Sequence, residues 1–327
     1  SGATGYDVII PSDYMIKRLA DENMLEELNY ENIPNYQYVY DDFKGLYYDP
    51  EEKYTAPYTY GIIGVIYNSA RVDEEDVADK SWNLLWNEKY KGKILQFNNP
   101  RDGFATAMLY HGIDINTADK DLWREALGYM KEQKDILQGY VNDEIFNKMT
   151  SASAAIAPYY AGDYLSMLEN NEDLAFYYPK NENGDTVTNI FVDAMCVPKG
   201  CGNKEAAERY INFLLSEEPA VAIAEYIYYA SPNSPVYNNE GYQEMLGEDM
   251  ELLYPDIDFA AVYGEYAYEN LDVATLQAVN DLWEELKIDS STLGNGVYIA
   301  CAALAALLVA WAVFAYVMKL RRRRYYW

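Results

Sequence analysis

Short apolar runs alternate with amphipathic stretches along most of the chain, and their spacing separates strands from helices. Tyr6–Pro11 (YDVIIP) reads as a buried strand ending at Pro-Ser, and YMIKRLADENML after it as a helix. Tyr58–Asn68 (YTYGIIGVIYN) reads as a strand interspersed with glycines. Ser81 caps a short helix in WNLLWNEKY, and Lys91–Lys93 (KGK) turns into the strand ILQF. The stretch AMLYHGIDINTADKDLWREALGYMKEQ is mostly helical. Ala152–Tyr160 (ASAAIAPYY) is an apolar strand with a helix from Asp163, and Leu174–Pro179 is another strand entering the polar hairpin NENGDTVTN. Beyond the next strand the pattern is largely helical to Lys287. Strands alternating with helices predict an α/β fold with a mostly parallel sheet.

The segment Asn189–Leu215 (NIFVDAMCVPKGCGNKEAAERYINFLL) carries the sharpest chemistry. Asp193 sits in a strand two positions after Phe191, and a carboxylate among apolar strand residues is costly to leave unpaired. Two partners fit it: backbone amides at the strand end, or a ligand cation. Asn203 then caps a helix whose apolar face is expected to be Ala206, Ala207, Tyr210, Phe213 and Leu214. Cys196 and Cys201 flank a tight turn and are close enough in sequence to bridge; Cys301 reads as a small apolar filler.

At the C-terminal end, residues 296–318 form an uncharged apolar run followed by KLRRRR. Such a run spans a bilayer core of about 30 Å as a helix. The basic tail, 319–327, predicts a cytoplasmic C-terminus with the rest of the chain outside the cell membrane. Asp289–Asn295 is a polar linker. The 327 residues include 53 acidic and 25 basic ones. Five of the basic residues lie in the tail, so the remainder sets 20 basic against 53 acidic groups, a charge of −33. That surface repels nucleic acid and steers cations inward. The topology requires export, yet the chain opens SGATGYDVIIPSDY with no initiator Met or signal peptide, so an N-terminal portion is expected to be missing.

Seven motifs follow one another between residues 5 and 287: YDVIIPSDY, PYTYGIIGVIYN, SWNLLWNEKYKGK, NNPRDGF, NIFVDAM…INFLL, SPN and LYPD. In this order they resemble the spermidine/putrescine branch of the type II periplasmic binding proteins of ABC importers. The resemblance implies two α/β lobes of the Venus-flytrap kind closing on a ligand, here with one C-terminal transmembrane helix added. Crossings between lobes would fall near Asn68 and Ile190, with a return near Asn239. Lobe one would hold residues 1–67 and 191–238, and lobe two 69–189 and 240–288. The family also has a strand–helix–strand unit before YDVIIPS, so lobe one would be incomplete. An upstream permease fusion is one source of that missing part.

A polyamine asks for carboxylates that meet its ammonium ends and aromatic faces along its methylenes. By motif, Ser12 and Tyr14 would line the lobe-one wall. Asn99 and Asp102 stand where the family often has two acids, Tyr159 and Phe191 where a Trp is common. Asp193 keeps its acid, Tyr229 its hydroxyl, and Glu269 falls near a usual Gln. The alternatives are structural: Asp102 as a cap for the helix beginning near Gly103, Ser12 and Asp13 as caps for the Tyr14 helix. His111, at a helix end, and the Trp82–Trp86 pair read as structural. The implied function is the extracytoplasmic substrate-binding component of a polyamine importer, working with an ABC permease and its ATPase. No cofactor, resident metal, catalytic constellation or nucleic-acid partner is implied. The first alternative is a ferric-iron-binding transport protein using Tyr159 and Tyr160, the second an anchored extracellular hydrolase using Asp102 and Asp193. A purely adhesive surface domain is the third.

Overall fold

A 13-residue strand, β1 (Ala56–Asn68), belongs to two sheets at once. Its first half, Ala56 to Ile62, pairs antiparallel with β6 (Ile190–Met195). Its second half lies between β4 (Ile156–Tyr160) and β5 (Leu174–Tyr177), antiparallel to both. β4 continues into β2 (Ile94–Phe97), and β2 into β3 (Leu137–Val141), these pairings being parallel. β1 is β-branched and aromatic along most of its length and buried at nearly every position. Continuous burial fits a strand covered on both faces.

The structure, a computed structural model, describes residues 5–288 and, beyond them, only positions 303, 304 and 311. Internal contacts group residues 1–280 into one unit and those from Asp281 into a second. All six strands fall within the first. Apart from those three positions, the linker 289–295, the apolar run 296–318 and the basic tail lie outside the described residues. Among the described residues, no helix is long and apolar enough to cross a membrane.

Three expectations need correction. The sheet is mixed rather than mostly parallel, because β1 runs against each of its three neighbours. YDVIIP is not a buried strand: it is tied to the β6 segment by the isolated bridge Ile9–Cys196 and by Ala194 N donating to Pro11 O, and Tyr6 is 73% exposed. It is an edge segment, and an edge covers only what faces its neighbour. Finally, helix α6 (Lys204–Leu214) is capped by Asn203 as expected, but it turns a different face inward. Tyr210 and Phe213 are exposed, while Ala207, Glu208 and Ile211 are buried.

Glu208 explains the rotation of that helix. Its carboxylate accepts from Asn29 N at 2.8 Å and Asn32 Nδ2 at 2.7 Å, with Lys204 Nζ at 3.1 Å. A satisfied buried acid outweighs an aromatic pair that remains half covered at the surface. β3 is a strand the pattern did not reveal, since LQGYV shows neither alternation nor an apolar run. The cysteines Cys196 and Cys201 are both free, and the Cys201 thiol lies 3.1 Å from Asp7 Oδ1.

The remaining helices position the site. α1 (Asp13–Asp21) packs its start against β6, and α2 (Pro100–Tyr110) and α3 (Lys120–Lys134) follow β2. Gln96 of β2 donates to Thr106 Oγ1 and to Gln133 Oε1, both at 3.0 Å. This buried network fixes α2 on the sheet, and with it the residues at the start of α2. Replacing Glu208 by alanine strands the Asn29 amide and the Asn32 side chain. It should lower unfolding free energy by about 2 kcal/mol in a urea titration. A loss under about 0.5 kcal/mol would contradict this role for the carboxylate.

Candidate functional site

A cavity of about 620 Å³ is lined from both sheets. β6 contributes Phe191 and Asp193, the start of α1 contributes Ser12, Asp13 and Tyr14, and the start of α2 contributes Asn99, Arg101 and Asp102. Tyr160 at the end of β4, Tyr229 and the segment from Tyr268 complete the wall. The size suits a small organic ligand.

Asp193 lies opposite Thr59 in the β1–β6 ladder. Ser12 is the first residue before α1, yet its hydroxyl does not cap the helix; it donates to Asp193 Oδ1 at 2.6 Å. Burial raises the Asp193 pKa, and hydrogen bonds from Ser12 and Thr59 oppose that rise. The partners are therefore neutral hydroxyls, not strand-end amides. The neighbouring Asp13 is fully buried and takes Tyr14 N at 2.7 Å, Val192 N at 3.3 Å and Tyr263 Oη at 3.0 Å. Burial pushes its pKa up to about 7, with the Asp193 charge adding to the rise against those hydrogen bonds.

Asp102 is the third residue of α2. Asn99 is its N-cap, accepting from Asp102 N at 2.9 Å and donating its own amide to the Asp102 carboxylate. Asp102 is thus part of a reciprocal cap rather than the cap itself. Two phenols finish its shell: Tyr160 Oη at 2.8 Å and Tyr268 Oη at 2.9 Å. Burial and the Asp102 charge raise both phenols well above their ordinary pKa, so they stay protonated donors.

Aromatic rings close the walls. Phe191 stands edge-on to Tyr160 with centroids 5.4 Å apart and lies 6.4 Å from Tyr229; Tyr14 stands edge-on to Tyr268 at 6.1 Å. Gly61 of β1 allows the Phe191 ring its place, since a Cβ there would sit 2.5 Å from the ring. Tyr229 follows Tyr228, whose φ of 58° ends helix α7 (Glu217–Ile227), and its hydroxyl donates to Asp163 Oδ2 at 2.7 Å.

Ser12, Tyr14, Asn99, Asp102, Phe191, Asp193, Tyr229 and Glu269 all line this cavity. Tyr159 does not: it stacks on Phe97 at 5.5 Å, and Tyr160 takes the wall instead. Successive strand residues face opposite ways, so a one-residue shift in an aromatic pair exchanges wall for core. In the ferric-iron alternative both tyrosines would be ligands; here the Tyr160 hydroxyl is engaged with Asp102 and Tyr159 lies off the cavity lining. His111 stacks on Tyr129 at 3.5 Å, and Trp82 is buried with Nε1 donating to Val187 O. Sequence reasoning missed Arg101, Tyr160, Tyr268 and Asn189 as wall residues, and treated Asp13 only as a cap. Buried Asn189 donates to Tyr266 O at 2.7 Å and leaves Oδ1 without a partner, an acceptor suited to a ligand N–H.

Asp13 makes stability pH-dependent with a definite sign. Its folded-state pKa is raised, so the folded chain holds the proton more tightly than the unfolded one between about pH 4 and pH 7. The contribution of the neutral form is complete below that window and is lost as pH rises through about 7. Asp163, raised by burial to about 6, acts in the same direction. Asp13→Asn should therefore gain melting temperature relative to wild type as pH rises from about 5 to about 8. Parallel melting curves across that range would contradict it.

Comparison with known proteins agrees with this geometry. Residues 4–261 match the family described as bacterial extracellular solute-binding protein. The chain is 26% identical over 256 residues to the spermidine/putrescine-binding periplasmic protein of Escherichia coli, covering 77% of this chain and 70% of that protein. A putrescine/cadaverine-binding protein of Pseudomonas aeruginosa is 24% identical over 301 residues, covering 88% and 81%. A candidate spermidine/putrescine ABC transporter structure from Listeria monocytogenes superposes with a TM-score of 0.76 at 31% identity, over 88% of this chain and 85% of that one. The spermidine/putrescine substrate-binding protein of Streptococcus pneumoniae gives a TM-score of 0.72 at 29% identity, over 88% and 84%. The two-lobed α/β architecture of periplasmic binding proteins is thus shared. With its fold and most of its length matched, the chain belongs to the bacterial extracellular solute-binding protein family.

Proposed function

We propose that this chain is the extracytoplasmic substrate-binding component of a polyamine ABC importer, a binder and not an enzyme. The observation that carries this reading is the charge arrangement of the cavity. Asp193 and Asp102 stand on walls from different sheets, and the partners recorded for both are neutral donors. Their negative charge, offset in part by Arg101 beside Asp102, is left for a ligand, and the rings between them suit a methylene chain bearing ammonium groups. Relatives that bind spermidine, putrescine or cadaverine support the same ligand class.

A dication held by both walls would favour the closed form over the open one by its differential contacts. The change of partners along β1 at Ile62–Ile63 supports a hinge there, with Asn189–Ile190 as the returning strand. Lobe one would then be 1–62 with 191–238, and lobe two 63–189 with 240–288. The closed form would dock on a permease driven by an ATPase. The apolar run 296–318 would tether the binder to the cell membrane, with its basic tail cytoplasmic.

Removing the Asp193 carboxylate takes away an ammonium partner inside a largely buried wall. Asp193→Ala should weaken putrescine binding about a hundredfold or more in calorimetry, since losing one partner of a buried pair costs a few kcal/mol. Unchanged affinity in a folded variant would overturn the assignment.

A further inference from the structure

Arg101 is a cation in the wall of a cavity lined by carboxylates. It is nine-tenths buried at the second position of α2, an end of the helix that disfavours positive charge. Its Nη2 donates to Asn116 Oδ1 at 2.9 Å and its Nη1 to the Glu269 carbonyl at 3.4 Å. Nε has no partner. Its recorded acceptors are both uncharged, and no ion pair is recorded for it among the described residues. Neither acceptor carries a charge, so these hydrogen bonds alone do not call for a cation. Arg18, also in the lining, is engaged with Glu22 at 3.0 Å, which leaves Arg101 as the cation without an acid.

Its position bears on the ligand. The guanidinium carbon sits 4.5 Å over the Tyr268 ring, occupying an aromatic face that an ammonium would otherwise use. The hydroxyl of that same tyrosine donates to Asp102. Any ammonium drawn to Asp102 therefore also approaches a fixed positive charge, and like charges in a low-dielectric wall repel strongly. Asp13 has no exposed surface, whereas Asp102, Asp193 and the exposed Glu269 keep some and can face a ligand. Offset by one guanidinium, three carboxylates balance two ammonium groups.

We propose that Arg101 is a specificity-determining residue whose charge limits the ammonium groups the cavity accepts, so that a diamine is taken in preference to a triamine. This rests on the polyamine reading of the cavity. The test is calorimetry on the full chain with putrescine and with spermidine. Wild type should bind putrescine at least about tenfold more tightly, Arg101→Gln should shrink that ratio by about tenfold or reverse it, and Arg101→Lys should keep it. Equal wild-type affinities, or a ratio unchanged in Arg101→Gln, overturn the role of Arg101 and leave polyamine binding standing. Binding of neither amine by wild type overturns both. Should Arg101→Gln fail to fold, the wild-type ratio and the Arg101→Lys ratio decide alone.

Discussion

One strand serving two sheets is the constraint on which the remaining structure depends. β1 cannot shift in register with β6 without also shifting against β4 and β5. Residue alternation along a strand is strict, so a slip of one position would turn its inward residues outward in both sheets. The same strand seats the cavity walls. Thr59 faces Asp193 across the first sheet, Gly61 makes room for Phe191, and Ile63 pairs with Tyr160 in the second. The site is thus built at the place where the backbone passes from one sheet to the other, and a hinge there would move the two carboxylate walls relative to each other.

The electrostatics follow from which partners those carboxylates have. Asp193 is held by hydroxyls, Asp102 by an amide and two phenols, Asp13 by backbone amides and a phenol. Neutral donors orient a carboxylate without cancelling its charge. Burial makes such charges costly, and it raises the pKa of Asp13 and of Asp193. A bound cation would relieve that cost, and ligand binding and lobe closure would then be parts of one electrostatic event. Outside the cavity some acids have cationic partners, Glu208 with Lys204 and Asp76 with Lys89, while buried Asp49 is held by backbone amides and the Thr55 hydroxyl.

Much of this was legible in the sequence because the motifs fall at element boundaries. The Ser81 cap before Trp82 and the Asn203 cap of α6 appear as their chemistry dictates, whereas α2 begins at Pro100 with Asn99 rather than Asp102 as its cap. Eight of the nine expected contact residues line one cavity because backbone positions carry them there. What failed depended on partners distant in the chain. The inward face of α6 was set by Asn29 and Asn32 reaching Glu208, some 180 residues away, and no local periodicity records that. Tyr160 rather than Tyr159 lines the cavity, and a pair of tyrosines gives no phase for the pleat. Arg101 was passed over because a basic residue beside an acid at a helix start reads as surface. The apolar run 296–318 is legible in composition alone, lying outside the described residues apart from three positions.

The most direct measurement of the central claim is a thermal-shift titration of the full chain with putrescine and with 1,4-butanediol, its uncharged counterpart. If the paired walls are built for ammonium groups, putrescine should raise the melting temperature by several degrees, increasing with concentration. The diol should leave it unchanged at the same concentrations. A shift with neither compound, or equal shifts with both, would contradict a cavity whose carboxylates await a cation.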